Sequence, residues 1–485
     1  MLPKRQHALD TGEVRWEHGT MRKWVSCNCF GMAIGLLCTA VAAMAQTELA
    51  GTSSAQQAPA SQVATPQAQV DRSLGEELNG LSTRDVHIFF IHGIGSEGPH
   101  SHDSELLRKS ICAYVKNCVK PAGEQVGSYD YADGANFGLN EAPPTMRYMG
   151  KLVWNTPEEW HAAAPFVVHY KLSRTSGRTI YLDELNWWPL VFALKCKQII
   201  ASDARLAGPV DQKIETCSTR EPDPQMQGRF ISYDWISPDE AKLLLTEPKR
   251  AAPINRSLKT DVTDWGFSDA VTALGPMRDL MVQGIRQLIL KAVLDSPGTT
   301  QDSAAMPLLT PIADQDFVIV SHSLGSYLIF SALSVNDKDR ATPVLMQASV
   351  AYMQVLRQTA LVYFFANQVR LLELANLEDS PTDNFVSHLE DWGKLRCDFE
   401  KAAPGADPNT PCRLPKIVAL SDPSDLLTWR VPHLTTVDVQ NVYVKNGIHW
   451  FWLLENPMRA HLNYSTDKRA IREMLHPTAA PDLEK

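Results

Sequence analysis

The segment Asp316-Phe317-Val318-Ile319-Val320-Ser321-His322-Ser323-Leu324-Gly325 constrains this chain more than any other. Its first five residues are a short apolar run of β-type composition, and residues 326–333 after it read as a buried helix. Only a sharp strand-to-helix turn joins two such elements. A serine at its apex exposes Oγ, and the following backbone N–H, that of Leu324, is ready to bind an oxyanion. The residues two positions to either side pack against the adjoining strand and helix, so they must be small. Gly325 meets that demand. Ser321 stands where glycine is commoner and adds one hydroxymethyl group. The predicted elbow is therefore Ser321, His322, Ser323, Leu324 and Gly325, with Ser323 as the nucleophile.

Two other regions supply partners. Upstream, Val86-His87-Ile88-Phe89-Phe90-Ile91 is strand-like and ends in His92-Gly93-Ile94-Gly95. Glycines at that exit suit a loop whose backbone N–H points into a site. Downstream, Pro415-Lys416-Ile417-Val418-Ala419-Leu420 is strand-like and feeds Ser421-Asp422-Pro423-Ser424-Asp425. An acid just beyond a strand can grip a histidine Nδ1–H and stabilise the imidazolium. Asp422 and Asp425 are both candidates. Asp425 is preferred, because Asp before Pro is the usual turn former and leaves Asp422 that role. A further strand, residues 437–444, precedes two candidate bases, His449 and His461. His449 lies in an aromatic-dense run. His461 is preferred because it sits in a loop directly before the helix-like residues 467–475, a position from which a base can face the nucleophile.

In the order Ser323, Asp425, His461 the chain resembles the α/β-hydrolase superfamily, over roughly residues 82–485. The resemblance implies an α/β fold: a mainly parallel central sheet with helices on both faces and an active site at the strand C-termini. It makes Ser323 the nucleophile, His461 the base and Asp425 the orienting acid. Backbone N–H groups of Leu324 and of Gly93 or Ile94 become the oxyanion hole. The implied activity is a serine esterase, lipase-like, that cleaves a carboxylic ester through an acyl-enzyme. An acyltransferase with the same triad, or an inert hydrolase-like binding module, are the alternatives. The departures are Ser321 and the long gap between His92 and Ser323.

That gap contains strand-like residues 166–172 and 179–182 around Thr175-Ser176-Gly177, then an apolar helix-like stretch through Ile200. Leu274, Met277, Met281, Ile285, Leu288 and Ala292 recur at three- and four-residue steps, one helix face to lie on a sheet. An inserted region, roughly 121–260, is expected either as a cap over the site or as peripheral elaboration. His92, His100, His102 and Asp103 sit among glycine, proline and serine and read as a solvated loop rather than a metal site. Trp187 and Trp188 read as core or cap packing.

The N-terminus carries an address. Arg22-Lys23 precede an apolar run that ends in Ala43-Met44-Ala45, a secretory signal over residues 1–45 whose true start is Met21 or Met1. An uncleaved anchor is the alternative. Residues 46–81, rich in Ala, Gln, Ser and Thr, read as a disordered linker. Of nine cysteines, six lie beyond the signal, and sequence neighbours suggest the disulfides Cys112–Cys118, Cys196–Cys217 and Cys397–Cys412 in a periplasmic or secreted protein. None has zinc-type spacing, so neither metal nor cofactor is expected. A net charge of −9 offers no basic face to nucleic acid. No run reaches the ~20 apolar residues of a membrane span. The partner expected is a small-molecule or lipid ester.

Overall fold

The computed structural model describes residues 73–475 apart from internal segments, the longest of which are 131–146 and 295–311. Its central sheet has eight strands: β1 (Asp85–Ile91), β2 (Glu124–Asp130), β3 (Phe166–Thr175), β4 (Arg178–Asn186), β5 (Gln315–His322), β6 (Thr359–Phe365), β7 (Lys416–Ser421) and β8 (Asp438–Tyr443). They lie in the order β8-β7-β6-β5-β1-β4-β3-β2. Pairing is parallel from β8 through to β4, and β3 is antiparallel to both its neighbours.

The strands are apolar on both faces because both faces are covered. Alternation sends Phe89, Phe317, Ile319 and Phe364 to one side and Ile88, Phe90, Val320 and Phe365 to the other. Helices α2 (Arg278–Leu294), α3 (Leu324–Leu333), α4 (Pro343–Gln358) and α5 (Phe385–Lys401) bury Ile285, Leu328, Val355 and Trp392 against the first side. Helix α1 (His102–Tyr114) and the C-terminal α7 (Lys468–Leu475) bury Leu107, Ile111, Ala470 and Met474 against the second. Between them comes the short α6 (Pro457–Leu462). The chain is an α/β protein with a mostly parallel sheet.

The topology has one reversal. From β1 the chain passes to the far edge as β2 and builds back inward through β3 and β4 to lie beside β1; it then crosses to the opposite side of β1 as β5 and builds outward through β6, β7 and β8. Loops leaving β1 and β5 therefore diverge at their C-terminal ends and open a crevice there. Ile91 pairs with Ser321, so both strands end at the same level.

Two expectations are corrected. Residues 121–260 are not a single insertion, since β2, β3 and β4 within that span join the main sheet. Their alternating residues serve both cores, which a cap strand would not do. Outside the main sheet the described residues of this span form helices and two small two-stranded sheets, Arg147–Tyr148 with Lys151–Leu152 and Arg220–Pro222 with Phe230–Ser232. Trp188–Leu194, the π-helical Lys195–Ile200 and Ala201–Ala207 follow one another without a break, and a second π-helix, Lys259–Phe267, comes later. The expected linker also ends early. Leu74–Asn79 is a helix whose Leu74 and Leu78 are buried in the second core, and the Leu74 N–H donates to the Tyr363 hydroxyl at 2.9 Å. Two leucines four apart were hidden by the polar composition around them. The signal segment and the rest of the linker lie outside the described residues.

The three cysteine pairs are Cys112–Cys118, Cys196–Cys217 and Cys397–Cys412, as neighbour spacing suggested. Cys196–Cys217 ties the first π-helix to the helix Asp211–Ser218. No helix among the described residues is long and apolar enough to cross a membrane. Replacing Cys196 and Cys217 together by alanine is expected to cost about 3 kcal/mol in urea unfolding, from lost loop constraint. An unchanged midpoint would show that this cross-link does not form.

Candidate active site

Ser323 stands between β5 and α3 at φ 55° and ψ −125°. That left-handed φ is costly for a residue with a Cβ, by roughly 1–3 kcal/mol, and persists only where the surroundings enforce it. Here the Ser323 N–H donates to the Phe365 carbonyl at 2.8 Å, and the Ser323 carbonyl accepts from Ser326 N–H at 3.1 Å. Two glycines allow the fit. A Cβ on Gly325 would lie 2.7 Å from the carbonyl oxygens of Ile91 and His92, and one on Gly93 would lie 2.5 Å from Ser323 Cβ. The elbow and the His-Gly loop thus touch through backbone. Ser321 takes the glycine position because its hydroxyl is satisfied there: it meets Ser326 Oγ at 3.0 Å and donates to the Tyr363 carbonyl at 3.2 Å.

Ser323 Oγ is 2.9 Å from His461 Nε2, and His461 Nδ1 is 3.0 Å from each Asp425 carboxylate oxygen. With Nδ1–H donating to Asp425, Nε2 is left to accept the serine proton. All three side chains are buried. His461 occupies the last turn of α6 rather than the expected loop. The alternative base, His449, falls in a two-residue strand whose side chains lie outside the described ones.

The two aspartates have separate tasks. Asp422 accepts the N–H of Ser424 at 2.8 Å, an Asx-type turn, and the N–H of Asn446 through its other oxygen. Asp425 faces the histidine and also accepts the Tyr464 hydroxyl at 3.2 Å. That hydroxyl in turn accepts the Asp422 N–H at 2.6 Å, so Tyr464 locks the acid loop. Burial, followed by the Asp425 charge, pushes the Tyr464 phenol far above its ordinary value and keeps it neutral.

A second histidine stands behind His461. His322 Nε2–H donates to the His461 carbonyl at 2.8 Å, and its Nδ1 is 3.6 Å from Asp103, which accepts from Ser465 Oγ. Burial lowers the His322 pKa while Asp103 opposes that. Its position inside the elbow was legible; its grip on the base was not, since nothing local couples residues 322 and 461.

The His-Gly loop is anchored too. His92 stacks on Trp187 with ring centroids 4.9 Å apart, and the His92 carbonyl accepts the Trp187 Nε1–H at 3.1 Å. His92 Nδ1–H donates to the Gly93 carbonyl at 2.9 Å. The solvated-loop reading is thereby corrected at both ends: His92 is buried and Asp103 joins the active-site framework, while residues 95–101 between them lie outside the described residues. Ile94 faces the second π-helix, Lys259–Phe267, where a Cβ on Gly266 would be 3.8 Å from its Cδ1. No group of side chains able to hold a metal occurs among the described residues.

No protein-family model, curated protein or solved structure matches the chain.

Burial drives His92 down to about 4, against an ordinary 6.5, with the Gly93 carbonyl opposing and the charges of His322 and Lys195 adding to the fall. The folded protein therefore resists a proton that the unfolded chain accepts below pH 6.5, so stability falls with pH until His92 itself titrates near 4. Between pH 7 and pH 5 the wild-type protein should lose about 2 kcal/mol more than a His92→Asn variant, by urea unfolding at each pH. Equal losses would mean that His92 is not held neutral.

Proposed function

We propose that the chain is an exported serine hydrolase of the α/β-hydrolase type that cleaves carboxylic esters. The observation that carries this reading is the unbroken chain Ser323 Oγ, His461 Nε2, His461 Nδ1, Asp425, with the serine strained outward at the sheet's topological reversal. A structural serine needs no positive φ, no general base at 2.9 Å and no glycine backbone against its Cβ. The three disulfide pairs and the signal-like N-terminus favour an oxidising compartment, periplasmic or secreted.

In this reading His461 Nε2 takes the Ser323 proton as Oγ attacks the ester carbonyl carbon. Asp425 holds the imidazole in the required tautomer and offsets the imidazolium charge. Negative charge on the tetrahedral oxygen falls near the start of α3, whose first backbone N–H groups have no partner within the helix. Leu324 N–H is the first oxyanion donor, and Gly93 or Ile94 N–H from the facing loop the second. The imidazolium protonates the leaving alcohol, giving an acyl-Ser323 that water then hydrolyses with the same base. Apolar burial around the triad strengthens each of these interactions by excluding water.

Ester turnover should fall at least 10³-fold in Ser323→Ala and about 10³–10⁴-fold in Asp425→Asn, with both proteins folded by circular dichroism. Full turnover by Ser323→Ala would defeat the reading outright.

A further inference from the structure

Among the described residues, two non-glycine positions have positive φ: Ser323 and Ala366, at 52°. Ser323 is the proposed nucleophile. Ala366 has no chemistry of its own, yet it follows β6 directly, and the Phe365 carbonyl just before it accepts the Ser323 N–H. Strain of this kind survives where structure enforces it, and it redirects the chain. The redirected segment is Asn367-Gln368.

That segment is held from several sides. Asn367 exchanges hydrogen bonds with Trp429: its Nδ2–H donates to the Trp429 carbonyl at 3.1 Å, and its own carbonyl accepts the Trp429 N–H at 2.8 Å. Asn367 Oδ1 accepts the Val369 N–H, and the Gln368 carbonyl accepts the N–H groups of Leu371 and Leu372. The Gln368 backbone is thus fixed on both sides. Its side chain is buried, and its carboxamide nitrogen reaches 3.5 Å from His461 Nε2, the same nitrogen that contacts Ser323 Oγ. Glutamine is rarely buried without a task, because an unmatched amide costs ~1–3 kcal/mol.

We propose that Gln368 is a catalytic residue that binds the oxygen exchanging a proton with His461 Nε2, namely the attacking water in deacylation and the leaving alcohol oxygen in acylation. This rests on the serine-hydrolase reading above. Any oxygen that gives a proton to Nε2, or takes one from it, must lie within hydrogen-bond reach of that nitrogen. The Gln368 carboxamide, 3.5 Å from that nitrogen, is within reach of such an oxygen. A carboxamide suits both tasks, since it offers a donor for a developing alkoxide and an acceptor for water. In deacylation the water oxygen bonds to the acyl carbon and one water proton passes to Nε2. The bond from that carbon to Ser323 Oγ then breaks, and Oγ recovers the proton from Nε2. Nothing else is consumed.

The test separates the two half-reactions. A p-nitrophenyl ester has a leaving group stable as an anion, so its acylation needs little help on the alcohol side, whereas deacylation by water needs it fully. In stopped-flow assays, Gln368→Leu should keep the burst rate within about twofold and lower steady-state turnover by ~10-fold or more. With an ethyl ester, whose leaving alkoxide must be protonated, acylation should fall as well. A second variant guards against misfolding. Gln368→Glu is nearly isosteric but sets a negative charge where a developing alkoxide must be bound, so ethyl-ester turnover should fall by ~10-fold or more while the p-nitrophenyl burst is kept. Burst and turnover reduced by the same factor in Gln368→Leu, or undiminished ethyl-ester turnover in Gln368→Glu, would overturn the assignment while leaving the esterase reading intact. A wild-type protein that releases no p-nitrophenol would overturn both.

Discussion

The site depends on holding one residue in a backbone conformation it would not choose. At φ 55° the Ser323 Cβ crowds its own chain, and the neighbours decide whether that is tolerable. Each neighbour contributes something different. Gly325 lets α3 start against the ends of β1, Gly93 lets the facing loop approach the serine Cβ, and the Phe365 carbonyl takes the serine N–H. A side chain on either glycine would meet backbone or the Ser323 Cβ at 2.5–2.7 Å, closer than any relaxation of a flexible tip could relieve. The strain is therefore stored by three adjacent strands, β1, β5 and β6, rather than by the turn alone.

Around the serine, polar groups are buried in layers that each fix the next. Asp425 holds His461, Tyr464 holds Asp425, and the Asp422 backbone holds the Tyr464 hydroxyl. His322 grips the base from behind through its carbonyl and leans on Asp103. In surroundings of low dielectric such a network is strong when every member is matched and costly when one is not. That is why the orienting residues come from four separate segments, each next to the end of a strand or helix. The parallel sheet makes this possible, because the loops after β1, β5, β6 and β7 all emerge at one edge.

Much of this arrangement was legible before any coordinates, and the reason differs by element. The strands β1, β5 and β7 announce themselves as apolar runs that end in glycine, serine or aspartate, so Ser323, the His-Gly loop and Asp425 could be read locally. Asp422 could be set aside because the Asp-Pro pair has its own turn chemistry, and the structure gives it that turn. What the sequence hid was pairwise and distant. Gln368 lies 93 residues from His461, and His322 lies 139 residues from the same histidine. No periodicity encodes such contacts. The sheet's far edge was hidden for another reason: β3 and β4 read as strands, but nothing local says that a hairpin joins the main sheet rather than a cap. Leu74 and Leu78 were lost within a polar stretch whose average composition outvoted them.

The proposed function requires Ser323 to be a nucleophile whose reactivity comes from His461 and Asp425. Mass-spectrometric mapping after exposure to a fluorophosphonate probe tests it most directly, because the adduct forms only on a serine already activated by its base. One covalent adduct is expected, on the peptide carrying Ser323, lost in His461→Ala protein that remains folded. An intact wild-type protein with no adduct, or an adduct on another residue, would contradict it.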